Sequence, residues 1–214
     1  MSKISLSVIL PAHNEAENIK ATVQSCVSYL ESNVSDYEVI VVNDGSSDDT
    51  KKIVKELSSI NSKVILVNHE INKGYGSALR SGFDEAKRDY IFFMDSDGQF
   101  DIQDLDRLLP LASIDKVVIG YREDRADSFV RSLNAWMYGR YIYLMFGLNV
   151  KDMDCAFKIF PTKAYQNIRP IKSGGALFTA EFLIKLKRTG FSFKEVPVRH
   201  FPRQFGTQSG ANFN

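Results

Sequence analysis

Four apolar runs constrain this chain more than any other feature. In order they are "SLSVILPA", "YEVIVVND", "KVILVNH" and "YIFFMDSD", each nearly continuous in aliphatic, β-branched or aromatic residues until its polar end. A strand that reads this way is buried on both faces. Helical patterns lie between the runs: one starting near Asn14 and ending before "SNVSDY", then "SDDTKKIVKELSSI", then Gly-rich "NKGYGSALRSGFDEAKR". The second opens with acidic residues, which suit the positive end of a helix dipole. Strands alternating with helices predict an α/β fold with a mostly parallel sheet covered on both faces.

The second half is less regular. "DKVVIGYR" reads as a strand ending at Arg122, and "DSFVRSLNAWMYGRYIYLMFG" as a helix rich in aromatics. "DMDCAFKIFP" reads as a short strand, "TAEFLIKLKRTG" as a helix with a glycine stop, and "EVPVRHFPRQFGTQSG" as a strand running into a Gly-containing loop. With no internal repeat, low-complexity tract or linker, residues 1–214 read as one domain with halves 1–115 and 116–214.

The chain carries 27 Lys+Arg against 26 Asp+Glu. That balance argues against nucleic acid as a partner. Cys26 and Cys155 stand far apart and outside any CxxC spacing, which excludes a disulfide framework or zinc site and fits a reducing cytosol. "MSKISLSVILPAHNE" lacks the apolar core and cleavage site of a signal peptide. No stretch approaches the roughly 20 apolar residues of a spanning helix. A soluble, cytoplasmic protein is expected.

In parallel α/β sheets, ligands bind outside the carboxyl ends of the strands. Here those ends carry Pro11-Ala12-His13-Asn14-Glu15, Asn43-Asp44-Gly45-Ser46 and Asp95-Ser96-Asp97, so polar residues gather on one edge. Asp95 and Asp97 have one bland reading as strand-end turn chemistry. An EF-hand loop is excluded, because "DSDGQFDIQDLD" places Phe100 at the obligatory glycine and Asp106 where Glu is expected. The sharper reading is Mg2+ or Mn2+ held by two hard carboxylates, with Gln99 offering another oxygen and open positions left for phosphate oxygens. It alone accounts for the polar residues at the other strand ends. "GYGSAL" is no dinucleotide fingerprint, since Leu79 takes the place of the third glycine, and no P-loop occurs.

"ILPAHNE", "VVNDGSSDDT", "NKGYGSALRSGF" and "FFMDSDGQ" follow the order and spacing of family-2 glycosyltransferases with the GT-A fold. "VIGYR", "MDCAFKIF" and "TAEFLIKLKRTGFSFKEVPVRHFPR" resemble the polyprenyl-phosphate, dolichyl-phosphate-mannose-synthase-like branch. The resemblance covers almost the whole chain. It implies inverting transfer of a hexose from UDP-glucose or GDP-mannose to a polyprenyl phosphate, at the cytoplasmic face of a membrane with peripheral contact. It assigns residues 1–115 to the nucleotide sugar and 116–214 to the acceptor. Carried over by position, Pro11, His13, Glu15, Val42, Asp44, Gly74, Asp95, Ser96 and Asp97 line the donor site. Asp95, Asp97 and Gln99 would hold the metal. Arg122, Arg131 and Arg203 would face the donor diphosphate or the acceptor phosphate.

Some positions depart from the pattern. Asn43 stands where the family's DDGS has its first Asp, His13 replaces a Tyr or Leu, and Ser209 lies about where a Lys is expected. A hydroxyl acceptor must lose a proton as it attacks, so a carboxylate should lie within reach. Asp154 and Glu181 are the candidates, each with a structural alternative in a turn or at a helix start. A lipid phosphate, already ionised, needs only positioning. Two rival functions follow: transfer to a saccharide or other hydroxyl, and a non-catalytic nucleotide-sugar-binding partner. The helix at 128–146, with Trp136, Tyr138, Tyr141, Tyr143 and Phe146, is either core or an interfacial element, since Trp and Tyr favour a bilayer boundary. His69 and His200 read as structural.

Overall fold

A computed structural model describes residues 4–123, 129–175 and 177–206, with side chains described outside 129–136. Strands β1 (Ser5–Ala12), β2 (Asp36–Asp44), β3 (Val64–His69) and β4 (Tyr90–Met94) alternate with helices α1 (Ile19–Asn33), α2 (Thr50–Ile60) and α3 (Tyr75–Glu85). Then follow α4 (Leu105–Leu108), β5 (Lys116–Arg122), α5 (Phe129–Phe146), β6 (Phe157–Pro161), α6 (Thr162–Ile168), α7 (Leu177–Arg188) and β7 (Ser192–Val198). The short α4 and α6 were not expected, because so few residues cannot display a helical period. The first helix starts later than its pattern suggests. Asn14 has a positive φ of 57°, and the Glu15 carbonyl accepts from the amides of Asn18 and Ile19, so residues 14–18 form a loop at the sheet edge.

One sheet runs through both halves, in the order β3-β2-β1-β4-β6-β5-β7. β1 to β4 pair in parallel, and so do β5 and β7. Among the strands of the described residues only β6 is reversed, antiparallel to both β4 and β5. The mostly parallel sheet expected from the buried runs is therefore present. The reversal has a local consequence: Met94 pairs with Phe157, so the turn entering β6 arrives where β4 ends. A turn from the second half thereby joins the carboxyl edge of the first.

The layer beneath this edge is stiff. Phe83 of α3 lies among the rings of Phe93, Phe160, Tyr165, Phe178 and Phe182, with centroids 5.2–6.0 Å away. α3 reaches the sheet closely because Gly82 has no side chain; a Cβ there would fall 2.3 Å from Ile9 Cγ2. Gly45, with φ +66°, lets the chain leave β2 against the backbone of residues 71–72, where a Cβ would lie 2.2 Å from the Asn72 nitrogen. That contact brings the end of β2 to the loop preceding α3.

Candidate active site

Asp95 and Asp97 follow β4 directly. Ser96 between them is buried; its Oγ donates to the Pro11 carbonyl at 2.7 Å, and its own carbonyl accepts from Thr22 Oγ1 at 3.2 Å. Ser96 and Pro11 thus tie the ends of β4 and β1 together, and the two carboxylates project from a fixed turn. Asp97 Oδ1 accepts from the Gln99 amide at 3.0 Å. The Tyr75 hydroxyl lies beside Asp95. Burial and the neighbouring Asp97 charge push the Asp95 carboxyl up to about 7, against the opposing pull of Tyr75, Arg122 and Lys158.

Two neighbouring carboxylates whose negative charges repel are suited to a shared cation. Among the described residues no group of three or more His, Cys, Asp or Glu is placed to hold a metal ion. Two carboxylates alone would leave a divalent cation to complete its shell with oxygens from water or a ligand, as Mg2+ commonly does. Gln99, expected on the metal, donates from Nε2 to the Phe201 carbonyl at 2.9 Å, and its backbone oxygen accepts from the Phe201 amide at 2.8 Å. Its amide secures the segment that follows β7.

That segment crosses the edge. Arg199 binds Asp104 through Nε at 2.9 Å and Asp101 through Nη2 at 3.0 Å. Further on, Arg203 Nη2 reaches both Glu15 Oε1 at 2.7 Å and Asp97 Oδ2 at 3.2 Å. Glu15 is also held by Asn18 Nδ2 at 2.7 Å. Arg203 and Glu15, separated by most of the chain, thus meet at the Asp pair.

At the end of β2, Asp44 is only 3% exposed. Its Oδ1 accepts from His69 Nδ1 at 2.6 Å and the Lys73 amide at 2.9 Å, and its Oδ2 from the Gly74 amide at 2.8 Å. These protein donors give the carboxylate the task of shaping the loop before α3. His69 is completed by Ser81 Oγ at 2.9 Å, a structural role. His13 Nδ1 donates to the Asp44 carbonyl at 2.8 Å. Val42 turns its side chain toward α3, and its backbone lies within the sheet, paired with Pro11 and Val67. Gly74, at φ +85°, has open space where a Cβ would stand, so a ligand could approach its backbone.

Arg122 ends β5 and pairs with Asp152 through Nε at 2.7 Å and Nη2 at 2.8 Å. Asp152 and Lys158 escaped the sequence reading, which selected Asp154 from the same turn. The Lys158 ammonium, on the buried face of β6, donates to the carbonyls of Met153 and Cys155. Burial lowers its pKa, with Cys155, Asp152 and Asp154 opposing. Asp154 itself is exposed. The signal for Asp152 was its position five residues before Phe157, but nothing in the sequence pairs it with Arg122. The Arg131 side chain and Ser209 lie outside the described residues. Cys26 and Cys155 are free and buried, and burial pushes each thiol up to about 12.

Glu181, the other base candidate, accepts from the amides of Lys172 at 3.0 Å and Ser173 at 2.6 Å and pairs with Lys185 at 2.7 Å. Burial alone would raise its carboxyl, but Lys185 and these amides pull it down to about 2 from 4.5. Its role is to cap the loop before α7. A carboxylate whose folded pKa is depressed stabilises above its unfolded pKa, and that contribution is lost as pH falls through the folded value. Glu181→Gln is therefore expected to lower stability by about 1–3 kcal/mol at pH 7. The gap from wild type should close between pH 4.5 and 2, as read by urea unfolding at each pH. A gap independent of pH would remove this role.

The sequence model of Glycosyl transferase family 2 matches residues 7–169. A dolichyl-phosphate beta-glucosyltransferase of Saccharomyces cerevisiae is 30% identical over 92% of this chain and 66% of its own length. An undecaprenyl-phosphate 4-deoxy-4-formamido-L-arabinose transferase of Edwardsiella ictaluri is 27% identical over 94% of this chain and 61% of its own. The chain thus spans less than two thirds of these curated relatives. Among solved structures, mannosyl-3-phosphoglycerate synthase from Rubrobacter xylanophilus superposes with a TM-score of 0.74 at 18% identity, over 94% of this chain and 68% of that one. Glucosyl-3-phosphoglycerate synthase from Mycobacterium tuberculosis, in complex with Mn2+, uridine diphosphate and phosphoglyceric acid, gives 0.67 at 23% identity over 94% and 72%. These likenesses establish the GT-A type of fold, and with the family's pattern running from β1 to the end of α6, the chain belongs to glycosyl transferase family 2.

Proposed function

We propose that this chain is an inverting glycosyltransferase that moves a hexose from a UDP- or GDP-sugar to a polyprenyl phosphate, with Mg2+ or Mn2+. The observation that carries the reading is one edge where the Asp95–Asp97 pair meets Arg203 and lies within electrostatic reach of Arg122. Relatives named for dolichyl- and undecaprenyl-phosphate support the acceptor class. When bound, the metal would neutralise charge on the leaving diphosphate. Asp95 and Asp97 would hold it on the rigid end of β4. Arg122 and Arg203 would supply fixed donors to phosphate oxygens, the planar guanidinium being suited to that geometry. An ionised acceptor phosphate needs no base, in keeping with Glu181 being engaged elsewhere.

Helix α5 supports peripheral membrane contact. Tyr141 is 58% exposed, Leu144 72% and Met145 58%, while Ile142 faces the core. Arg140 and Arg188 lie over the rings of Tyr143 and Phe146. A face that is aromatic, apolar and rimmed by cations suits the interface of the bilayer that holds the acceptor, and favours the interfacial over the core reading. Among the described residues no helix is long and apolar enough to cross a membrane.

The test is to incubate the protein and metal with radiolabelled UDP-glucose or GDP-mannose, with and without polyprenyl phosphate in detergent, and count label in the organic phase. Metal-dependent label with one donor supports the reading and identifies the sugar nucleotide. Donor binding with no transfer to any acceptor would favour the non-catalytic alternative. Asp154→Asn distinguishes the acceptors: it should leave lipid transfer within about threefold, whereas removal of a needed general base would cost about 10²–10⁴-fold.

A further inference from the structure

We propose that Asp152 is a positioning residue, which holds the Arg122 guanidinium ready for a phosphate group at the Asp95–Asp97 edge. The proposal rests on the reading of function above and deepens it. Asp152 grips Arg122 with both carboxylate oxygens, at 2.7 and 2.8 Å, and is itself only 3% exposed. Such a two-point grip fixes the plane of the guanidinium as well as its distance. The two residues come from different strands, β5 and the entrance to β6, and meet because β6 is antiparallel.

The turn that carries Asp152 is anchored in turn. Lys158, 1% exposed, donates to the Met153 carbonyl at 3.0 Å and to that of Cys155. On the other side, the Lys151 amide donates to Glu195 Oε1 at 2.5 Å. Gly120 permits β5 to lie close, since a Cβ there would meet the Phe157 carbonyl oxygen at 3.0 Å. A buried ion pair is weak evidence for stability by itself, because desolvation offsets the attraction. Its value here is orientation: a donor fixed before the ligand arrives loses no freedom when charge develops. Lys158, which anchors this turn, lies 5.6 Å from the centroid of the Phe93 ring of β4, and Phe157 pairs with Met94, so the cluster stands beside the strand end that carries Asp95.

The test compares Asp152→Asn, Arg122→Lys and the double variant of the full chain, with turnover expressed per nucleotide-binding site titrated with UDP or GDP and Mg2+. Asp152→Asn is expected to lower kcat about a hundredfold, the scale of a small misplacement, with the nucleotide-sugar KM within about threefold and the double variant no worse than the poorer single. Asp152→Glu, which keeps the charge, should recover part of the loss. Multiplying effects in the double variant, or unchanged kcat per site in Asp152→Asn, would overturn the proposal. If Asp152→Asn does not fold, Asp152→Glu carries the test, with lowered kcat at unchanged nucleotide binding expected and wild-type kcat overturning it.

A second readout is independent of turnover. The Arg122 Nε–H resonance should be sharp in wild type and should move when Mg2+ with UDP or GDP is added; in Asp152→Asn it should broaden and not respond. If wild type transfers nothing to polyprenyl phosphate, the functional reading fails while this resonance still decides positioning. A signal that ignores the nucleotide in wild type, or responds equally in both proteins, defeats the proposal.

Discussion

Asp97→Ala is expected to lower metal-dependent sugar transfer by about 10²–10³-fold, the cost of removing one well-placed electrostatic group from a reacting centre. The variant leaves Asp95 as the remaining acid of the pair, and takes from Arg203 one of its carboxylate partners. The fold should survive. Asp97's other bond is a local turn contact with the Gln99 amide, and removing its charge relieves repulsion on Asp95. The check is a Mn2+ titration of transfer beside a thermal melt of the metal-free protein. Turnover near wild type in excess Mn2+ would exclude Asp97 as a ligand; a collapsed melt would make its role structural.

The second large effect concerns the layer under the site. Phe83→Ala should cost about 3–5 kcal/mol, the range for emptying a buried aromatic position. Phe83 is 2% exposed and touches rings from β4, β6, α6 and α7, so no single neighbour can fill the gap without leaving another. Denaturant unfolding measures the loss, and a change under about 1 kcal/mol would mean that the surrounding elements collapse into the space. Phe93 stands two residues before Asp95 on β4. Loosening its packing should therefore also weaken metal binding in whatever fraction remains folded.

Much of the candidate site was legible because its groups are local to strand ends. Pro11, His13, Glu15, Asp44, Asp95 and Asp97 each lie at or just beyond an apolar run, and a parallel sheet brings such ends together. What those side chains bind was not legible. Asp44 engages His69, Lys73 and Gly74, and Gln99 engages Phe201, because these partners are set by loop paths. Asp154 was chosen over Asp152 for the same reason. Both carboxylates lie in one turn, and only its orientation decides which is buried against Arg122.

The sequence by itself determined the strands, their two-sided burial, the polar edge and the Asp pair, since apolar runs and their polar ends report burial directly. The tertiary structure decided the direction of β6, the pairing of Arg122 with Asp152, the meeting of Arg203 with Glu15 and Asp97, and the outward face of α5. A buried five-residue strand reads the same in either direction, and an ion pair across 188 residues leaves no periodic trace. Those features depend on where the connecting segments run, and the chain settles that only when all seven strands share one sheet.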